Sequence, residues 1–199
     1  NSGTTSNNPI LTEGATVHTS TLDDYWQTSI ATIGVTSGKW YFEAKILDSN
    51  TPLVMIGIGD EGDIPTWGLN NGYLGAGKSV SYSSGSSAYT HSNVIGMAVD
   101  VDNGKVYWAK DNTYINSGNP AGNANGTALP TGGVSNGTYF IGVSGYKDDA
   151  AVLQVNFGGY HANSLSSAAS DANGYGTFEF APPSGFYSLC TKNLAEYGG

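Results

Sequence analysis

The stretch at 94–111, VIGMAVDVDNGKVYWAKD, constrains the fold of this chain more than any other part of its sequence. Apolar and polar residues alternate on both sides of Asn103-Gly104. Asn-Gly is the preferred pair for a two-residue type I′ turn, because both of its residues need a positive φ. The pattern therefore predicts two antiparallel strands at 95–102 and 105–109, and their register decides which alternate set of side chains is buried.

The remaining sequence favours short strands over helices. Apolar–polar alternation recurs between turns of Gly, Asn, Asp and Pro, and helical periodicity is confined to one weak candidate at 164–172. Further strands are predicted at 15–19, 29–35, 39–47, 53–58, 79–83, 138–144, 152–157, 177–180 and 186–190. So many short strands favour an all-β fold, a sandwich of two antiparallel sheets with little or no helix. We expect one domain over 13–194, a flexible segment at 1–12 and a tail or linker at 195–199.

The chain is acidic and poor in charged side chains. It carries 16 Asp and Glu against 7 Lys and Arg, a net charge of −9, and only 12% of its residues are charged. Nucleic acids and anionic membranes both attract basic segments, so the composition argues against either partner. No stretch approaches the ~18 apolar residues that a membrane span requires, so no membrane insertion is expected. A low charge content together with many Gly, Ser, Thr and Asn residues is typical of an extracellular or particle-borne protein.

Nucleophilic catalysis finds no support in the sequence. The single cysteine, Cys190, excludes an intrachain disulfide and lies in a strand-like run where a small buried hydrophobe is expected. A catalytic thiol or hydroxyl needs a base within reach. The histidines His18, His91 and His161 are scattered, and no G-x-S-x-G motif is present. The sequence therefore predicts no catalytic residue.

Acidic residues leave two possibilities open. A glycosidase needs two carboxylates ~5–10 Å apart across a cleft. The acids that could supply such a pair are Glu43, Asp100, Glu179 and the group at 60–63. Within that group Asp60, Glu61 and Asp63 offer hard oxygen ligands on a predicted loop, and they are the candidate calcium ligands. The GxGxxG match at 57–62 is no dinucleotide site, because no helix is predicted to follow it. No other cofactor is expected.

Aromatic side chains on predicted loops are the candidate ligand-binding residues. Sugar rings stack on aromatic faces while neighbouring Asp and Asn side chains bind their hydroxyls. The candidates are Tyr25, Trp26, Trp67, Tyr73 and Tyr114. Of these, we expect Trp26, Trp67 and Tyr114 on exposed loops. The alternative is that such residues anchor their loops onto the sandwich.

Several ordered motifs resemble the SPRY (B30.2-like) domain. They are GKWYFEAKI at 38–46, IGIGD at 56–60, SYS at 81–83, the hairpin at 94–111, YFIGVSGY at 139–146 and LQVNFG at 153–158. The resemblance implies a concanavalin-like sandwich that binds a ligand through variable loops and catalyses nothing. It also implies a set of fold determinants: Gly38, Trp40, Glu43, Gly96, Asp100, Gly104, Trp108, Asn156, Phe157 and Phe186.

Two runs, at 108–122 and 178–194, look like SPRY modules carried by structural proteins of tailed bacteriophages. This resemblance implies a tail-fibre or particle-surface module of a virion. It would bind a host-surface glycan or another virion protein, as part of a homo-oligomer or larger assembly. Two alternatives stay open: a decoration or cement domain with no host ligand, and a glycan-active enzyme on the same kind of sandwich.

Overall fold

The computed structural model describes residues 9–21, 26–47, 53–60, 79–83, 90–130, 137–146, 151–159 and 164–198. It is mostly β, with two antiparallel sheets and one short α-helix, which confirms the fold class expected from the sequence. The chain forms two compact units. The first contains 1–34, 46–92 and 130–154, and the second contains 35–45, 93–129 and 155–199. No helix in the described ranges is long and apolar enough to cross a membrane.

The first unit contains a four-stranded sheet formed by β3 (Trp26–Val35), β5 (Leu53–Asp60), β6 (Ser79–Ser83) and β11 (Tyr139–Tyr146). It also contains β1 (Ile10–Thr12), β2 (Val17–Thr19) and the beginning of β12 (Val152–Asn156). The sheet order is β3-β11-β5-β6, and β2 pairs antiparallel with both β1 and β12. Alternate side chains of β5 and β11 form its core: Val54, Ile56, Ile58, Ile141 and Val143.

The second unit is built around the hairpin. Its elements are β4 (Lys39–Ile46), β7 (Val94–Asp100), β8 (Lys105–Lys110), β9 (Thr113–Tyr114), β10 (Thr127–Ala128), β13 (Tyr187–Ser188) and α1 (Thr191–Tyr197). The order is β4-β7-β8-β10, with β13 added in parallel beside β4. Trp40 and Phe42 are fully buried, and Phe42 stacks on the half-buried Phe157 with ring centroids 5.5 Å apart.

The hairpin differs from the two-residue turn that the sequence predicts. Asp100 pairs with Lys105, so four residues form the loop, and the Gly104 amide donates to the Val101 carbonyl at 3.1 Å. Of the loop residues only Gly104 has a positive φ, 64°. The buried Asp100 carboxylate accepts from the Asn103 amide at 3.0 Å and from its side chain at 2.8 Å. These bonds hold Asn103 at negative φ, so the type I′ prediction was wrong.

The C-terminal quarter also departs from expectation. Residues 164–172 form no helix, and 177–180 form no strand beyond a single bridge between Ala169 and Phe178. The expected strand at 186–190 shortens to Tyr187–Ser188. The helix Thr191–Tyr197 then runs through the first three residues of the segment expected as a tail. Its Asn193 is fully buried, so tertiary packing, which local propensity does not report, stabilises this helix.

Candidate functional site

The four-stranded sheet of the first unit is almost free of charge. Strands β3, β5, β6 and β11 contain a single charged residue, Asp60, and its side chain is buried. The chain as a whole carries a net charge of −9. This sheet is therefore a neutral part of an acidic protein.

An apolar row lies at one end of this sheet, on the face opposite the buried core side chains. Trp26 begins β3 and contacts Tyr146 at the end of β11, with ring centroids 5.5 Å apart and ring planes inclined by 55°. Tyr146 pairs directly with Leu53 of β5, so the two side chains lie on the same face. Leu53 is 44% exposed, and both aromatic rings are half-buried. We call Trp26, Tyr146 and Leu53 the aromatic row.

The next set of cross-strand neighbours lies directly beside the aromatic row in the sheet. The hydroxyl of Thr28 lies 2.6 Å from that of Ser144, and Ser144 has no exposed surface. Two residues further along these strands, Gly142 pairs with Gly57. Met55 of β5 pairs with Ser144 on this face and is half-buried, so apolar surface continues from Leu53 along β5. A tilted Trp–Tyr pair of this kind offers flat apolar surface to a sugar ring or to a protein side chain.

Of the five candidate ligand-binding residues predicted from the sequence, the structure describes Trp26 and Tyr114. Trp26 lies in a strand and is half-buried, so the prediction of an exposed loop was wrong for it. Tyr114 likewise lies in β9. It packs against a buried cluster of Tyr41, Ala98, Tyr107, Phe178 and Phe186, and burial raises its pKa. Tyr25, Trp67 and Tyr73 lie outside the described residues.

Sequence reasoning missed Tyr146, the partner of Trp26. The predicted strand ended at residue 144, two positions short of it. The period of two along the strand places Tyr146 on the same face as Gly142 and Ser144, but only the pairing of β3 with β11 brings it to Trp26.

The candidate calcium ligands are not assembled by the described residues. Asp60 is the last residue of β5 and is buried, so it does not lie on the loop that the sequence predicted. Glu61 and Asp63 fall outside the described ranges. Among the described His, Cys, Asp and Glu residues no group of three comes close enough to hold a metal ion.

Glu43 of the second unit is buried and hydrogen-bonded to the backbone of another segment. Its carboxylate accepts hydrogen bonds from the backbone amides of Glu179 and Phe180, both at 2.8 Å, and from the Tyr41 hydroxyl at 3.1 Å. Burial raises the pKa of Glu43, and these three hydrogen bonds oppose the rise. The carboxylate thus fixes the irregular segment at 179–180, where no strand satisfies the backbone amides.

Glu179 and Asp100 have comparable partners. Glu179 accepts from both the amide and the hydroxyl of Ser166. The buried Asp100 forms an ion pair with Lys39 at 2.9 Å, in addition to its bonds to Asn103. Hydrogen bonds from fixed backbone and side-chain donors occupy these oxygens, which is how buried acids are accommodated in proteins.

The described histidines and Cys190 also have polar neighbours within the fold. His18 is buried, with its ring nitrogens 2.8 Å from the Ser29 hydroxyl and 3.1 Å from the Ser20 hydroxyl. Burial lowers the pKa of His18 to about 4, so the ring is neutral at physiological pH. His91 contacts the carbonyl of Leu47 at 3.1 Å, and His161 lies outside the described residues. The half-buried Cys190 has Ser188 as its polar neighbour, at 3.7 Å.

The described fold is that of a SPRY-like β-sandwich. Among solved structures the chain is similar to the SPRY domain of human HERC1, at 12% sequence identity and a TM-score of 0.50, over 74% of this chain and 91% of that one. At this identity the likeness concerns the fold alone. No protein-family model matches the sequence. No curated protein matches it either.

Proposed function

We propose that this chain is a non-catalytic recognition module of a tailed-bacteriophage virion, in a tail fibre or on the particle surface. It binds a host-surface glycan or another virion protein through the aromatic row of its first unit. The observation that carries the proposal is the neutrality of this sheet in a chain of net charge −9. A neutral aromatic surface suits a ligand recognised by stacking and packing.

The chemistry of the acids supports a binding role over a catalytic one. A glycosidase needs one carboxylic acid and one carboxylate free to reach the sugar. Glu43 is held by two backbone amides and a phenol, and Glu179 is held by Ser166. The virion context rests on the sequence runs at 108–122 and 178–194, which resemble phage structural modules.

The test is the binding of the labelled chain to intact bacteria from a panel of hosts, with and without periodate oxidation of their surface glycans. The chain is presented multivalently. We expect strain-selective binding that periodate abolishes. Trp26→Ala and Tyr146→Ala should each weaken it at least about tenfold, the equivalent of about 1.4 kcal/mol. Tyr175→Ala, which removes a half-buried tyrosine of the second unit, is the matched control and should bind as the wild type does.

Two outcomes would overturn the glycan-binding form of the proposal. Absence of binding to every strain, despite multivalent presentation, would favour a decoration or cement role within the particle. Release of sugar products from the bacterial surface by the wild-type chain would favour an enzyme. Circular dichroism of each variant separates loss of binding from loss of fold.

A further inference from the structure

Strand β3 forms one edge of the four-stranded sheet. In the described part of the chain, β11 is the only strand that pairs with it. β3 is ten residues long, about twice the usual strand, and spans roughly 33 Å. From Ser29 to Gly34 its residues are half-buried or exposed, and Ile33 is 43% exposed. Over 29–34 it therefore presents a row of backbone donors and acceptors at the edge.

The sequence of this edge lacks charged side chains and proline, two of the features that keep sheet edges from pairing. Natural edges are protected by charged side chains, proline, bulges or very short strands. The sequence of β3, WQTSIATIGV, has no charge and no proline, and none of its residues has a positive φ. The other edge strands of the described chain have five residues or fewer: β6 has five, β1 has three and β10 has two.

The occupant that fits this edge is a second copy of the same chain. Antiparallel pairing of two identical edges is self-complementary, because each strand offers the other the same row of N–H and C=O groups. Two chains of net charge −9 repel each other, and β3 and its neighbour β11 contain no charge that would oppose contact. We propose that two copies pair antiparallel through β3, about a two-fold axis near Ala31. This joins two four-stranded sheets into one.

The proposal is independent of the ligand-binding role, and it is tested on the full chain by sedimentation velocity. We expect a reversible dimer between about 1 and 200 μM, the range in which modest interfaces associate. Ile33→Lys should weaken the dimer at least tenfold, because it places a charge in the paired edge. Ile10→Lys is the matched control: Ile10 is 54% exposed on the short edge strand β1, and this variant should dimerise as the wild type does.

A second variant and a second readout guard against misfolding of Ile33→Lys. Thr32→Lys changes an exposed neighbour whose side chain lies on the other face of the sheet, and it should weaken the dimer similarly. Hydrogen exchange of the wild type should show protection of 29–34 that increases with protein concentration. A wild-type chain that stays monomeric, or a dimer that both β3 variants leave intact, would overturn the proposal.

Discussion

At the scale of single residues, buried polar groups are matched by partners from several elements. Asp171 is an example. Its carboxylate accepts from the backbone amides of Tyr175 and Ser188, both at 2.9 Å, and from the Asn193 side chain at 2.8 Å. Burial alone would raise the pKa of Asp171, but these hydrogen bonds and that of the Ser188 hydroxyl outweigh it and lower the pKa. One carboxylate thus connects a turn, strand β13 and helix α1.

His18 makes the stability of the chain depend on pH. The unfolded chain takes up a proton on this residue below about pH 6.5, whereas burial keeps the folded ring neutral down to about pH 4. The contribution of His18 to stability is therefore fully present above pH 6.5. It is lost as the pH falls from 6.5 towards 4, by up to about 1.4 kcal/mol per pH unit.

Urea unfolding at about pH 7 and about pH 5 measures this loss. The matched variant is His18→Gln, which keeps a donor and an acceptor for Ser20 and Ser29 but does not titrate. Its free energy of unfolding should decline less between the two pH values than that of the wild type. Equal declines in both chains would show that His18 is not the group responsible.

At the scale of elements, the β7–β8 hairpin shows how a local signal can be right about the strands and wrong about the turn. Asn103-Gly104 marks the reversal, but the turn centres on Asp102 and Asn103. The reason is that Asp100 is buried against Lys39 and also bonds Asn103. The Asp102 carboxylate accepts in addition from the Gly38 amide at 2.7 Å. Partners on β4 and in the turn before it thus select the loop conformation.

Gly104 occupies the one position of this hairpin loop that has a positive φ. Its φ is 64°, and a Cβ placed there would contact nothing within 4 Å, so any cost of substitution is conformational, with no steric part. Gly104→Ala should lower the free energy of unfolding by about 1 kcal/mol. Gly104→Asn should cost less, because asparagine tolerates a positive φ better than alanine. Thermal or urea unfolding measures both, and an alanine variant as stable as the asparagine variant would contradict this explanation.

At the scale of the whole molecule, the excess of acidic over basic residues sets a repulsive background. With a net charge of −9 at neutral pH, the folded chain concentrates like charges that the unfolded chain spreads apart. Raising NaCl from about 10 to about 150 mM should therefore raise the Tm by a few degrees, because salt screens this repulsion. At about pH 4.5, close to the sequence pI of about 4.4, the net charge is near zero and the same addition should change the Tm less. A salt effect of equal size at both pH values would point to an ion-specific cause.

Much of the fold could be predicted from the sequence because its signals are local. Strands β4, β5, β6, β7, β8, β11 and β12 lie close to their expected positions, since alternation and turn residues act over a few neighbours. The segment at 164–189 could not be predicted in this way. Its backbone donates to Glu43 and Asp171, and the first of these is more than a hundred residues away in sequence.

The sequence by itself determined the class of this protein: an acidic, all-β chain with a central hairpin and a neutral set of strands. Those properties follow from composition and short-range periodicity, which no tertiary contact alters. Only the tertiary structure decided that Trp26 meets Tyr146 beside Leu53, and that the long uncharged β3 lies at an edge. Both depend on which strands pair and in what register, and pairing joins residues that are far apart along the chain.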